Sequence, residues 1–113
     1  MIDIDPTRFE QMVVAALDGL PPGLGRLMRN VAVVVDHDST DLSLLGLYDG
    51  VPLTERTSDY SAVLPDRITI FRLAICAYCT DEAEVVDEVR RTVIHEVGHH
   101  FGIDDERLHE LGW

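Results

Sequence analysis

The sequence predicts an α+β fold, and three observations carry that prediction. The β-branched run Val31-Ala32-Val33-Val34-Val35 has the composition of a buried strand. Residues 67–71, Arg-Ile-Thr-Ile-Phe, alternate polar and apolar as a half-buried strand does. Val85, Val86, Val89, Val93 and Val97 then recur at the spacing of one face of a helix. The expected architecture is a small mixed sheet of about three strands, packed on helices that include the one carrying these valines. With 113 residues and no repeat or linker, the chain reads as a single domain, 1–113, with room for one modest core.

The elements follow in order. Asp5 before Pro6 is a helix-start signal, an N-cap residue with proline at the first helical position. Phe9, Met12, Val13, Ala16, Leu17 and Leu20 continue it at helical spacing until Gly19 and Pro21-Pro22-Gly23. A short turn or helix at 24–28 leads into the first strand, which Asp36-His37-Asp38 stops. Residues 44–48 form a second candidate strand, and Asp49-Gly50 before the apolar 51–53 is a hairpin signal. The polar, aperiodic stretch 54–66 reads as a loop, and 72–79 as a short helix after the third strand. Asp81 caps the last helix, with Glu84 three residues on as in a capping box. That helix is expected to run to about His100, where Gly102 supplies a left-handed residue to end it.

Charge narrows the function. There are 21 acidic residues against nine basic ones, all arginine, for a net charge of −12. Such a surface repels the phosphates of nucleic acids and anionic membranes, so neither is an expected partner. The N-terminus has no basic region of the signal-peptide kind, and no apolar run reaches the roughly 20 residues of a membrane span. The expected location is cytoplasmic, with Cys76 and Cys79 reduced.

The chemistry concentrates in His95-Glu96-Val97-Gly98-His99, an H-E-x-x-H pattern. Positions four apart share a helix face, so both imidazoles can reach one metal ion. Zinc suits neutral imidazole nitrogen and tolerates two ligands from one turn. Glu96 lies about 100° further round the helix, where it misses the ion yet reaches a water upon it and serves as general base. A third ligand requires the chain to turn back. Gly102 permits the reversal, and Asp105, three residues later, can close the site with a carboxylate oxygen.

His95-Glu96-x-x-His99-x-x-Gly102-x-x-Asp105 resembles the extended motif of metzincin peptidases, with aspartate in place of the last histidine as in Asp-zincins. The chain as a whole resembles the small bacterial zincin-like proteins predicted to be metallopeptidases, the mini-zincins. The resemblance implies Zn²⁺ held by His95, His99 and Asp105, with Glu96 as the catalytic base. Two features depart from the family pattern. Met1, Met12 and Met28 all precede the motif, so the methionine turn that floors a metzincin site is missing; Trp113 could replace it or simply cover an edge of the core. No residue is an evident oxyanion donor; Tyr48, Tyr60 and Tyr78 qualify by chemistry only. Two histidines and one aspartate leave the ion a net charge of about +1, which acidifies water less than three histidines would and asks more of Glu96.

Other reactive residues read as structural. Cys76-Ala77-Tyr78-Cys79 is a lone CxxC on a short helix, better read as two partly buried small apolar residues than as a zinc or redox site. His100 points off the ligand face, to bond locally or to lie at the surface. His109 is an alternative third ligand at an unfavourable spacing, and Asp104 a near miss beside Asp105. His37, between two aspartates, reads as a solvated turn. The expected function is zinc-dependent hydrolysis of a peptide or protein substrate. The edge of a strand such as 67–71 would align that substrate. The alternative is an inactive zincin-shaped domain that binds metal or acts through an interface, as a homodimer.

Overall fold

A computed structural model describes residues 1–21, 23–60 and 64–113. Helix α1 (Pro6–Asp18) and the single turn α2 (Leu24–Leu27) precede strand β1 (Val31–Asp36). Strands β2 (Gly46–Asp49) and β3 (Asp66–Phe71) follow, then helices α3 (Arg72–Tyr78), α4 (Glu82–His100) and α5 (Asp105–Leu111). The sheet is mixed, in the order β1-β3-β2. β1 runs parallel to β3, pairing Val31 with Asp66 through Asp36 with Phe71, and β2 runs antiparallel to it, pairing Gly46 with Ile70 through Asp49 with Arg67. The α+β class and the three strands agree with the sequence. Among the described residues, no helix is long and apolar enough to cross a membrane.

The caps act as the sequence dictates. The Asp5 carboxylate accepts from the backbone N–H of Arg8 at the start of α1, and that of Asp81 accepts from Glu84 N–H at 2.8 Å at the start of α4. Glu84 reaches back one residue further than a capping box requires, accepting from the Thr80 hydroxyl at 2.6 Å. Phe9, Met12, Val13 and Ala16 of α1 meet Ile68 and Ile70 of β3 and Val85, Val89, Val93 and Val97 of α4 in one core, against which Leu17, Leu20 and Val86 are only partly buried. Cys76 and Cys79 are buried free thiols, and burial pushes both up from the ordinary thiol value. They are core residues, as their setting in the sequence suggests.

Four expectations need correction. Asp49-Gly50 is not a hairpin turn, because the antiparallel partner of β2 is β3 and residues 53–55 form a 3₁₀ turn instead of a strand. Gly50 serves a close approach: at φ +153° a Cβ there would lie 2.2 Å from Asp66 Cγ. The strand 67–71 is central, so it offers no free edge. His100 is neither at the surface nor bonded only within its helix. It is fully buried, and its Nε2 accepts from the backbone N–H of Arg29 at 3.2 Å. Finally, 105–111 is a helix, where the sequence suggested only a return of the chain. The loop expected over 54–66 carries part of the 3₁₀ turn, and residues 61–63 lie outside the described part.

Val51 and Arg56 are tied down by Asp66. Its buried carboxylate accepts from Arg56 Nη2 at 2.7 Å, from Val51 N–H at 3.1 Å and from the Tyr48 hydroxyl. Arg56 also donates to the carbonyls of Val51 and Arg29 and stacks on the Tyr60 ring, 4.5 Å from its centroid. Burial alone would raise the Asp66 carboxyl, but the Tyr48, Arg56 and Val51 bonds outweigh it and hold the group below its ordinary 3.8. A lowered folded-state value means that this contribution is complete above the unfolded value and is lost as pH falls through the folded one. Urea unfolding is therefore expected to show stability falling as the pH drops below about 4, with a smaller drop in Arg56→Ala. At neutral pH, Arg56→Ala is expected to cost about 3–5 kcal/mol, because it strands a buried carboxylate.

Candidate metal centre

The site is assembled by the end of α4 and the turn that follows. The valine stripe at 85, 89, 93 and 97 buries one face, and His95 and His99, two residues further on, project about 200° away. The helix closes with a Schellman motif: Gly102 N–H donates to the His99 carbonyl at 2.9 Å and Ile103 N–H to that of Gly98 at 3.0 Å. Gly102 adopts φ +83°, and a Cβ on it would lie 2.0 Å from Thr54 Oγ1, so conformation and space both demand glycine. The Asp104 carboxylate then accepts from Arg107 N–H at 2.9 Å and caps α5, whose first residue is Asp105. Asp104 is thus a cap, and Asp105 turns toward the histidines.

His95 Nε2 lies 3.1 Å and His99 Nε2 3.0 Å from the same oxygen, Asp105 Oδ1. The two imidazole rings are nearly perpendicular, with centroids 4.8 Å apart. One donor atom from each of the three residues falls within 4.8 Å of the others, the only such group among the described residues. His109, in the last turn of α5, is not part of it.

The hydrogen bonds test whether a cation fits. His99 Nδ1 is 2.9 Å from the Ile103 carbonyl oxygen, which can only accept, so Nδ1 carries the hydrogen. In a neutral ring Nε2 then turns a lone pair toward Asp105 Oδ1, and His95 Nε2 faces the same oxygen. His99 Nε2 and Asp105 Oδ1, two acceptors 3.0 Å apart, suit a shared hydrogen or a metal ion between them. Two imidazole nitrogens and a carboxylate oxygen are a donor set suited to Zn²⁺, and the carbonyl behind His99 fixes its ring as second-sphere partners of metal-binding histidines do.

Glu96 turns away from this cluster toward β2. It is 7% exposed, and the backbone N–H of Tyr48 faces its carboxylate. Burial pushes the carboxyl up from its ordinary value, and the adjacent His95 and His99 pull it back in part. All four residues border a cleft of about 760 Å³, walled also by Gly46, Leu47 and Tyr48 of β2 and by Pro52, Thr54 and Glu55 of the loop.

The remaining candidates fall outside the chemistry. The Tyr48 hydroxyl is engaged by Asp66, that of Tyr60 accepts from Asn30, and Tyr78 is exposed on α3. His37 Nδ1 accepts from Arg72 Nε at 2.9 Å and its Nε2 lies 3.0 Å from Glu10 Oε1, so both ring nitrogens are engaged by side chains. Trp113 borders a smaller cavity beside His95 and Glu96. Two contributors escaped the sequence: the Ile103 carbonyl, which has no side-chain signal, and Gly98, where a Cβ would lie 2.4 Å from Leu108 Cδ2.

A helix bearing two histidines and a glutamate, a glycine turn, and a carboxylate that returns to the imidazoles define the zincin class of metal-site proteins. The sequence model of the zincin-like metallopeptidase family matches residues 28–113, most of the chain, and the protein belongs to that family. No curated protein matches the chain.

Gly98→Ala is expected to displace Leu108, and with it α5 and Asp105. Overpacking of this kind costs about 1–3 kcal/mol. Calorimetry should register a lower melting temperature together with weaker zinc binding. Unchanged zinc affinity would show that α5 does not position Asp105.

Proposed function

We propose that the protein is a zinc-dependent peptidase in which His95, His99 and Asp105 hold the ion and Glu96 is the general base. The observation that carries this reading is the meeting of both Nε2 atoms at one Asp105 oxygen, with a buried glutamate beside them in an open cleft. Zinc bound there would supply a Lewis acid for the peptide carbonyl and for water. Glu96, its carboxyl pushed up by burial, takes the proton of the attacking water and returns it to the leaving amine. Among the described residues β2 pairs with β3 alone, and its residues 46–48 line the cleft, so a substrate strand adds to the free edge of β2.

One observation favours the second reading, an inactive domain that binds metal or pairs with a second copy. Tyr48, the tyrosine nearest the cleft, spends its hydroxyl on Asp66, and none of the three tyrosines is placed to stabilise an oxyanion.

Zinc titrated by calorimetry into chelator-stripped protein is expected to bind once per chain with sub-micromolar affinity. Asp105→Ala should weaken it by well over an order of magnitude, and binding indifferent to Asp105 would dispose of this ligand set. Glu96→Gln should keep zinc but lose hydrolysis of a peptide library by about 10²–10⁴-fold. Tight zinc binding that raises the melting temperature, with no turnover by the wild type, would instead select the inactive domain.

A further inference from the structure

Strand β1 ends the sheet on the side away from β2, and its sequence does nothing to blunt that edge. Natural edge strands are guarded by lysine, proline, a bulge or short length. Val31–Asp36 runs for six residues, five of them apolar, and keeps a regular register with β3 throughout. The groups it leaves open follow from that register. In a parallel pair, alternate residues turn both N–H and C=O toward the neighbouring strand. The Asn30 carbonyl accepts from Asp66 N–H at 2.9 Å, so Ala32, Val34 and Asp36, in step with Asn30, also bond to β3. The backbone of Val31, Val33 and Val35 therefore points out of the sheet, and among the described residues nothing bonds to it.

An identical strand completes this row. Run antiparallel about a two-fold axis at Val33, it sets Val31 opposite Val35 of the second copy and Val33 opposite its own counterpart. Each is a hydrogen-bonded pair, so all the open groups are used, in about six bonds between the chains. On the outer face Ala32 then lies opposite Val34 of the second copy, which covers a valine that is otherwise exposed. A slip of one residue would set outward groups against inward ones.

The ends of the strand match in charge. Six of the nine arginines pair with a carboxylate. Among the described residues Arg26 and Arg29 have no such partner, and both are exposed just before β1. Asp36 and Asp38 lie at its other end. Antiparallel pairing brings the arginines of each chain to the aspartates of the other, twice over. Two chains of net charge −12 repel at large, but at about 0.15 M salt that repulsion is screened beyond roughly 8 Å, while contacts at the strand ends are not.

We infer that β1 is a dimer edge: two copies join β1 to β1 in one continuous sheet of six strands, β2-β3-β1-β1-β3-β2. β2 and its cleft stand at the two far ends, so both clefts stay open, and the pairing is independent of whether they hydrolyse peptides. The paired edge is only about 20 Å long, which makes for a smaller interface than the standard one of about 800 Å² per partner, and a weak dimer.

Sedimentation velocity over about 5–500 μM protein in 0.15 M salt should show the mass of one chain giving way to that of two. Amide hydrogen exchange read by NMR tests the register. Val31, Val33 and Val35 should gain about 10-fold protection as the dimer fills, while Ala32 and Val34, bonded within the chain, change far less. Arg29→Asp and Asp38→Arg should each raise the dissociation constant about 10-fold, and the two in one chain should restore it, which a folding defect would not do. A single-chain mass throughout overturns the inference, as does a dimer that leaves the three outward amides unprotected. A dimer that neither reversal weakens shows that the chains meet elsewhere, and overturns it too.

Discussion

The rotation of α4 is the constraint on which the rest of the molecule depends. Val85, Val89, Val93 and Val97 must enter the core between α1 and β3, and that requirement leaves the helix no freedom to turn about its axis. His95 and His99 then face away from the valines, while Glu96 is carried to the side where β2 passes. Hydrophobic burial and the histidine cluster use the same nineteen-residue helix without competing for the same face. A two-residue shift of the valine stripe, about 200° round the helix, would bury the imidazoles and expose the core.

Three glycines then bring neighbouring elements close to that helix. Gly46 lets β2 run against Thr92 and Glu96, Gly98 admits Leu108 of α5, and Gly102 both reverses the chain and makes room for Thr54. The first sets the wall of the cleft, the second seats the helix that bears Asp105, and the third joins the site to the loop over residues 50–60. Leu108 is fully buried, so the short α5 is anchored by packing as well as by its Asp104 cap. The proposed ligand set is thus held from two sides, which would reduce the ordering needed for an ion to bind.

Beneath the cleft lies a compact polar network. Asp66 gathers Arg56, Tyr48 and Val51, and His100 stands behind it with Nδ1 3.7 Å from Asp66 Oδ2. Burial, with the nearby Arg56 charge, pushes His100 below its ordinary value, while Asp66 pulls the other way. Its Nδ1 has no hydrogen-bond partner, the one buried side-chain atom so placed among the described residues. The network fixes β2 against β3 at the level of Glu96 and holds the far wall of the cleft. Its members come from three separate parts of the chain, and Arg56 lies in a stretch with no periodicity at all.

The sequence by itself determined the elements whose causes are local. Asp5-Pro6 and Asp81 start helices because their side chains meet backbone N–H groups a few residues away. The valine periodicity fixes α4, and H-E-x-x-H-x-x-G-x-x-D brings His95, His99 and Asp105 together because helix pitch and one left-handed glycine dictate the path between them. Tertiary structure alone decided what depends on partners distant in the chain. Asp49-Gly50 looked like a turn, but the glycine answers to Asp66, sixteen residues on. The strand expected to lie at an edge became the centre of the sheet, because β1 and β2 both pair with it. His100 reads in sequence as a locally bonded or surface histidine, but the Arg29 backbone and Tyr48 enclose it. A motif records which residues face one another across a single turn. The cleft, its free edge and the Trp113 cavity depend on which elements pack against that turn, and no local spacing encodes that choice.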